Sequence, residues 1–341
     1  MKRLFLIGAP RSGTTWVAKV FDAHPDVIYR HEPDSALSNS HIPAHVPEED
    51  LSAYIDDARA YVDRLFTVSN LKTNSARPWF PKSYRSPGAS LLRNTIVTAL
   101  RGAERVPALK PWAQTRNVPD FLSKRPPTVP FYVAKSVIGG GRAGLYARAC
   151  TDIRFLLIVR HPCGFVASQL RGAELGLMRA QWPINAMTNT CSARRRGVQN
   201  ADFKRMDSCR LAAWYWLIFN EAMLETTRGL SNCALFDYDR ACSDPTRHFR
   251  AAYAHAGIPM TEAVSTFLQA SDKPTAMKSS VTGIRRALNR HAYFSVSRNT
   301  KEAPQRWRSD LSAAQIAAVA DVVGDSPVLD GLGFSFELAS Q

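Results

Sequence analysis

Acidic side chains are in short supply. The 341 residues carry 29 Asp plus Glu against 44 Lys plus Arg, a formal net charge of +15 and a pI near 9.8. Such a surplus points to an anionic partner (nucleic acid, a membrane surface, a polyanionic glycan or a multiply charged cofactor) without choosing among them. Long apolar runs are missing as well: the longest, Leu211 to Phe219, is far too short to span a bilayer. No charged and apolar leader precedes the first strand, so the expectation is a cytoplasmic, bacterial protein, with peripheral membrane contact left open. The six cysteines, Cys150, Cys163, Cys191, Cys209, Cys233 and Cys242, form no C-x-x-C pair and have no histidine nearby at metal spacing. Reduced, mostly buried thiols are therefore expected rather than a disulfide framework or a zinc site. Gly139, Gly140 and Gly141 lack the G-x-G-x-x-G frame of a dinucleotide fingerprint. No helix-turn-helix, zinc finger or RNP-type aromatic pattern appears, so no specific nucleic-acid partner is expected. Neither an internal repeat nor a low-complexity linker divides the chain, which reads as one domain over 1–341.

What is present is concentrated at the start. Leu4 to Ile7 is a short apolar run stopped by Gly8, and Thr14 to Phe21 opens a helix with Trp16, Val17, Val20 and Phe21 on its buried side. A tight loop between strand and helix leaves N–H groups of the helix N-terminus free for an anion. Gly8 and Gly13 match the glycines of the P-loop pattern G-x-x-x-x-G-K-[ST], but Thr14 stands where the phosphate-gripping lysine belongs. Arg11, Ser12, Thr14 and Thr15 offer one cation and three hydroxyls instead, a set suited to phosphate or sulfate rather than to a magnesium-bound triphosphate.

Further strands are expected at Val27 to Tyr29, at Val129 to Val133 ending in Lys135-Ser136, at Arg154 to Val159, and at Ala234 to Tyr238. Arg30, His31, Glu32 and Pro33 then fall just past a strand's carboxyl end, where open α/β sheets bind ligands. Helices are expected at Asp50 to Phe66, Leu91 to Leu100, Arg210 to Thr227, Asp244 to Ala256 and Ser312 to Val323, with another beginning near Cys163 and carrying Ser168. The proline-rich segment 34–128 reads as a largely helical insertion on the acceptor side. Glu174 to Met206, with the basic cluster Arg194, Arg195 and Arg196, reads as a solvated irregular loop. The fold class is therefore α/β: a P-loop-like three-layer sandwich with a central parallel sheet flanked by helices, plus the insertion.

Two elements in order make the chain recognisable: Arg11-Ser12-Gly13-Thr14-Thr15-Trp16, and Arg160-His161-Pro162 followed by Ser168. These resemble the 5′-phosphosulfate loop and the R-x-P-x-x-x-x-x-S element of sulfotransferases that use 3′-phosphoadenosine 5′-phosphosulfate (PAPS) and release 3′-phosphoadenosine 5′-phosphate (PAP). His24-Pro25-Asp26-Val27, Glu32-Pro33, Ser295 to Asn299 and Trp307 to Leu311 are similar to the carbohydrate 6-O-sulfotransferases. The resemblance implies that Arg11, Ser12, Gly13, Thr14, Thr15 and Trp16 hold the 5′-phosphosulfate, with Arg11 on the bridging oxygen. Arg160, Ser168 and Arg298 would hold the 3′-phosphate. Glu32 is the first candidate for general base and His31 the second, although a Glu before Pro can simply cap a turn. Lys135 would contact the sulfuryl group or the acceptor, or else be an ordinary surface lysine. The acceptor would be a hydroxyl, on a glycan or glycoconjugate, and no metal would be required. Trp307 reads as core. The alternatives are a P-loop kinase or triphosphatase, which would need the absent lysine and a magnesium-binding carboxylate, and a non-enzymatic polyanion binder.

Overall fold

The computed structural model describes residues 2–37, 41–46, 48–123, 129–178, 182–271 and 302–336. Its frame is a parallel sheet of β1 (Arg3–Gly8), β2 (Val27–His31), β3 (Phe131–Ser136), β4 (Arg154–Val159) and β5 (Cys233–Asp237), in the order β2-β3-β1-β4-β5. β1 is central because it is apolar on both sides. Phe5 and Ile7 enter one buried cluster and Leu4 and Leu6 the other, the period-two alternation of a strand covered on both faces.

The first face is covered by the helices Ile55–Thr67, Ala143–Ala149, Pro162–Glu174, Ser208–Thr227 and Ala313–Val323. The second is covered by α1 (Thr14–Asp22), Pro245–Ala256 and Glu262–Ser271. Three layers and a parallel sheet are as expected, and all five strands fall on the expected apolar runs, with shifted bounds at β2, β3 and β5.

Register decides what reaches the ligand-binding edge. Lys135 pairs laterally with Leu6 on one side and His31 on the other, Gly8 with Ile158, and Val159 with Asp237. The carboxyl ends of all five strands thus line up, as an all-parallel sheet requires.

Four expectations need correction. Arg30 and His31 lie inside β2 rather than beyond it, and Arg30 is buried against Asp120 in a two-pronged ion pair at 3.0 and 2.5 Å. β3 begins at Phe131, not Val129, which is 81% exposed, and it extends through Lys135 and Ser136. The segment 34–128 is not all insertion, since Ala58, Val62, Leu65 and Phe66 of the Ile55–Thr67 helix belong to the main core; Leu71, Val97, Leu100, Ala113 and Val118 form a separate small cluster beyond it.

The fourth concerns 174–206. Short helices at Ile184–Thr188, Cys191–Arg195 and Asn200–Arg205 replace the expected irregular loop. Arg196 is not solvated: its guanidinium bonds both oxygens of the buried Glu221, at 3.0 and 2.8 Å, while Arg195 pairs with Glu225. Trp307 is core as expected, stacked on His161 with ring centroids 4.6 Å apart. Among the described residues, no helix is long and apolar enough to cross a membrane.

Candidate active site

The loop from Gly8 to Gly13 is held by close approaches that only glycine permits. A Cβ on Gly8 would stand 2.7 Å from the Ile158 carbonyl oxygen. Gly13, with φ +79°, would drive one to 2.1 Å from the Tyr238 ring. Gly13 caps α1 without a side-chain bond to the helix, and no acidic residue occupies the first turn. The positive end of the helix dipole is therefore left for an outside anion. Ser12 is 0% exposed and its Oγ has no hydrogen-bond partner among the described residues. An orphaned buried hydroxyl beside a helix N-terminus fits a loop built to take a phosphate-like oxygen.

Arg11 adopts φ +71°, a left-handed conformation that is costly for a side chain with a Cβ. Its Nε donates to Ser168 Oγ at 3.1 Å, and its carbonyl accepts from Arg160 Nη1 at 3.0 Å. The loop is thereby tied directly to the Arg160 to Ser168 segment. Arg160 is buried, lies with its guanidinium carbon 5.2 Å from the Tyr238 ring centre, and keeps an Nε without a partner among the described residues. The backbone fixes it from behind, because Trp216 Nε1 donates to the Arg160 carbonyl at 2.9 Å. His161 caps the helix that carries Ser168 by accepting from the Cys163 N–H; burial holds its imidazole down to about 4. The neighbouring Asp239 accepts from the His161 N–H at 2.6 Å, and burial lifts its carboxyl to about 6 against the pull of Arg160.

On the other side of the loop stands a second cluster. Lys135, 0% exposed, donates from Nζ to Glu32 Oε1 at 2.7 Å and to Thr15 Oγ1 at 3.3 Å. A surface reading for this lysine is thus excluded. Glu32, at φ +46°, also meets Lys72 Nζ and His31 Nε2, each at 3.9 Å. Burial alone would raise its carboxyl, but Lys135, His31 and Lys72 together hold it at about 2. His31 is held at about 3, first by burial and then by Lys135, and its Nδ1 is 2.8 Å from the Tyr29 hydroxyl. At neutral pH Glu32 is therefore a carboxylate and His31 an uncharged imidazole, while burial lowers the Lys135 ammonium against the pull of Glu32.

The structure brings together Arg11, Ser12, Gly13, Thr14, Thr15, Glu32, His31, Lys135, Arg160 and Ser168 along one edge. It does not bring the Trp16 side chain there: the indole packs edge-on against Tyr238 and Phe249 in the core, because the helix turns that position inward. Arg298 and the Ser295 to Asn299 segment lie outside the described residues. Reading the sequence missed Lys72, Asp34, Tyr238 and Asp239. Asp34 accepts from Ser136 Oγ on β3, and burial raises its carboxyl. Lys72 carries no local signal, since it reaches Glu32 only because the Leu71–Asn74 helix packs over β2. Among the described residues, no group of three or more His, Cys, Asp or Glu is placed to hold a metal ion.

Residues 3–262 match the model of the Sulfotransferase family. No curated protein matches the chain. Among solved structures, the chain is similar to the sulfotransferase domain of the Synechococcus PCC 7002 olefin synthase, with 14% identity, 97% of this chain and 94% of that one covered, and a TM-score of 0.43. It is also similar to mouse sulfotransferase SULT7A1 complexed with PAP, with 10% identity, 97% and 87% covered, and a TM-score of 0.42. For sulfotransferase STF9 from Mycobacterium avium the figures are 13%, 100% and 78%, and 0.42. The family match spans the whole sheet, from β1 to β5, with the Arg11–Trp16 loop and the Arg160 to Ser168 segment, so the chain belongs to the sulfotransferase family.

Proposed function

We propose that this chain transfers the sulfuryl group of PAPS to an acceptor hydroxyl, with a carbohydrate as the acceptor class. One observation carries the reading. The Arg11–Thr15 loop is bonded on one side to Ser168 and Arg160, and on the other to Lys135 and through it to Glu32. Two anion sites and a carboxylate thus share a single loop. The loop N–H groups, Ser12 Oγ and the Thr14 and Thr15 hydroxyls bind the 5′-phosphate side; Arg160 and Ser168, with Arg298, bind the 3′-phosphate. The bidentate fork of an arginine suits phosphate oxygens.

In the reaction, the acceptor oxygen forms a bond to sulfur as the bond from sulfur to the 5′-phosphate oxygen breaks. The electron pair leaves with PAP, and the acceptor proton passes to Glu32. Arg11 and Lys135 offset the charge that develops on the leaving and sulfuryl oxygens. A carboxylate held at about 2 is a weak proton acceptor, so the Lys135 pairing has a mechanistic consequence. When Lys135 turns a proton toward a sulfuryl oxygen, Glu32 loses its strongest partner and its proton affinity rises when a base is needed. His31, held at about 3, is the weaker second candidate for this task. The carbohydrate class rests on the Arg11–Thr15, His24–Val27 and Glu32-Pro33 likeness. The segment beyond Asp34, which carries Lys72 over Glu32, would form the acceptor side.

The test is an acceptor screen with radiolabelled sulfate in PAPS across neutral, acidic and amino sugars, alongside phenols and simple alcohols. Transfer to a sugar hydroxyl that disappears in Glu32→Gln supports the reading. Transfer to phenols alone would overturn the carbohydrate assignment, and no transfer to any acceptor would count against the whole.

A further inference from the structure

Beneath the insertion, away from the two phosphate elements, lies a cavity of about 30 Å³ lined by Thr73, Asn74, Trp79, Tyr84, Arg85 and Arg93, with Lys82, Asp22 and Tyr29 at its wall. About 10–15 Å³ suffices for one water, so this space takes a halide or the head of a carboxylate. Its surroundings are unbalanced in charge. Among the described residues, Lys19, Arg30, Lys82, Arg85 and Arg93 draw on Asp22 and Asp120 as their carboxylates there.

Most of these groups are already spoken for. Lys19 Nζ donates to Asp22, to the Ala76 carbonyl and to the Pro78 carbonyl; Lys82 Nζ donates to Asp22 and to the His24 carbonyl. Arg30 is matched by Asp120. Arg93, only 5% exposed, spends Nη2 on Asn74, but its Nε has no partner among the described residues. Arg85, half-buried with its guanidinium carbon 5.2 Å from the Tyr84 ring centre, keeps Nε and Nη1 buried without hydrogen-bond partners there. Two guanidinium groups with unspent buried donors, in a pocket already rich in cations, are costly as they stand, since an unpaired buried charge forfeits hydration without recompense. A ligand of opposite charge removes that cost.

We propose that this cavity is a binding site for a single anionic group of the carboxylate or sulfate class, held by Arg85 and Arg93. The group arrives either as a free ion or as the acidic substituent of an acceptor. The second source rests on the sulfuryl-transfer reading, and two connections make it reasonable. Tyr29, at the cavity wall, is bonded to His31, and Lys72, next in the chain to the lining residues Thr73 and Asn74, reaches Glu32. Trp79 and Tyr84 add aromatic surface for the body of such an acceptor.

The experiment is a thermal-shift titration, in Tris buffer free of other small carboxylates and of sulfate, of wild type and Arg85→Gln against formate, D-glucuronate and D-glucose, with the variant as the control for ionic strength. Crystals of the wild type soaked in bromide are read for an anomalous peak between Arg85 and Arg93. Expected are saturable stabilisation of the wild type by formate, a half-point raised at least tenfold in Arg85→Gln, and a bromide peak at the cavity. Glucuronate acting at tenfold lower concentration than formate, with glucose inert, assigns the site to an acidic acceptor; equal response to formate and glucuronate assigns it to a free ion. Identical anion responses in the two proteins together with no bromide peak would overturn the proposal. A wild type that answers formate through Arg85 yet ignores PAP would sink the donor reading and leave this site standing.

Discussion

In the proposed reaction, Glu32 and Lys135 are the pair on which the chemistry turns. Lys135 is buried at the end of β3 and Glu32 sits in a left-handed turn just after β2, so each offsets much of the cost of burying the other's charge. Replacing Glu32 by Gln, or Lys135 by Ala, should lower kcat by roughly 10²–10⁴-fold, the usual worth of a positioned proton acceptor or charge stabiliser. The dissociation constant for PAP should stay within a few-fold for Glu32→Gln, measured by calorimetry, because that carboxylate belongs to the acceptor side. A parallel loss of PAP affinity would instead make Glu32 a scaffold residue. The depressed carboxyl also has a sign in stability. Its contribution is fully present above the ordinary carboxylate range and is lost as pH falls toward about 2. Because His31 is held at about 3, kcat/KM should show no limb near 6.5 that vanishes in His31→Asn. Such a limb would mean that His31 titrates normally and acts as the base.

At the scale of elements, the strands were legible and the connections were not. β1 and β4 announce themselves because a strand covered on both faces has to be apolar throughout, and the Gly8 to Gly13 loop because its glycines answer to steric demands that appear in sequence. The 174–206 segment was misread for the opposite reason. Arg196 looks like a solvated charge until the Ser208–Thr227 helix places Glu221 inside the core, a pairing 25 residues away that no local pattern encodes. Likewise Trp16 belongs to the loop motif by sequence but to the core by helix phase. Arg196→Ala should therefore destabilise the fold by about 3–5 kcal/mol, since it leaves a buried carboxylate with Ser326 as its remaining side-chain partner. Urea denaturation would show it as a lower midpoint at unchanged slope. A change under 1 kcal/mol would return the segment to the periphery.

For the molecule as a whole, parallel strands in the order β2-β3-β1-β4-β5 make one edge, and that edge gathers residues from positions 11 to 168. The net charge of +15 then acts at longer range, favouring approach of an anionic donor and weakening as salt screens it. PAP affinity should accordingly fall between 50 and 500 mM salt. In the proposed donor site, the Arg11–Thr15 loop and Arg160 hold the two phosphates of PAP. Calorimetric titration of wild type and Arg160→Ala with PAP, and of wild type with ATP plus magnesium, tests it most directly. The account predicts tight PAP binding without magnesium, weakened at least 100-fold in Arg160→Ala, and little response to magnesium-ATP. Tight magnesium-ATP binding with no PAP binding would contradict it.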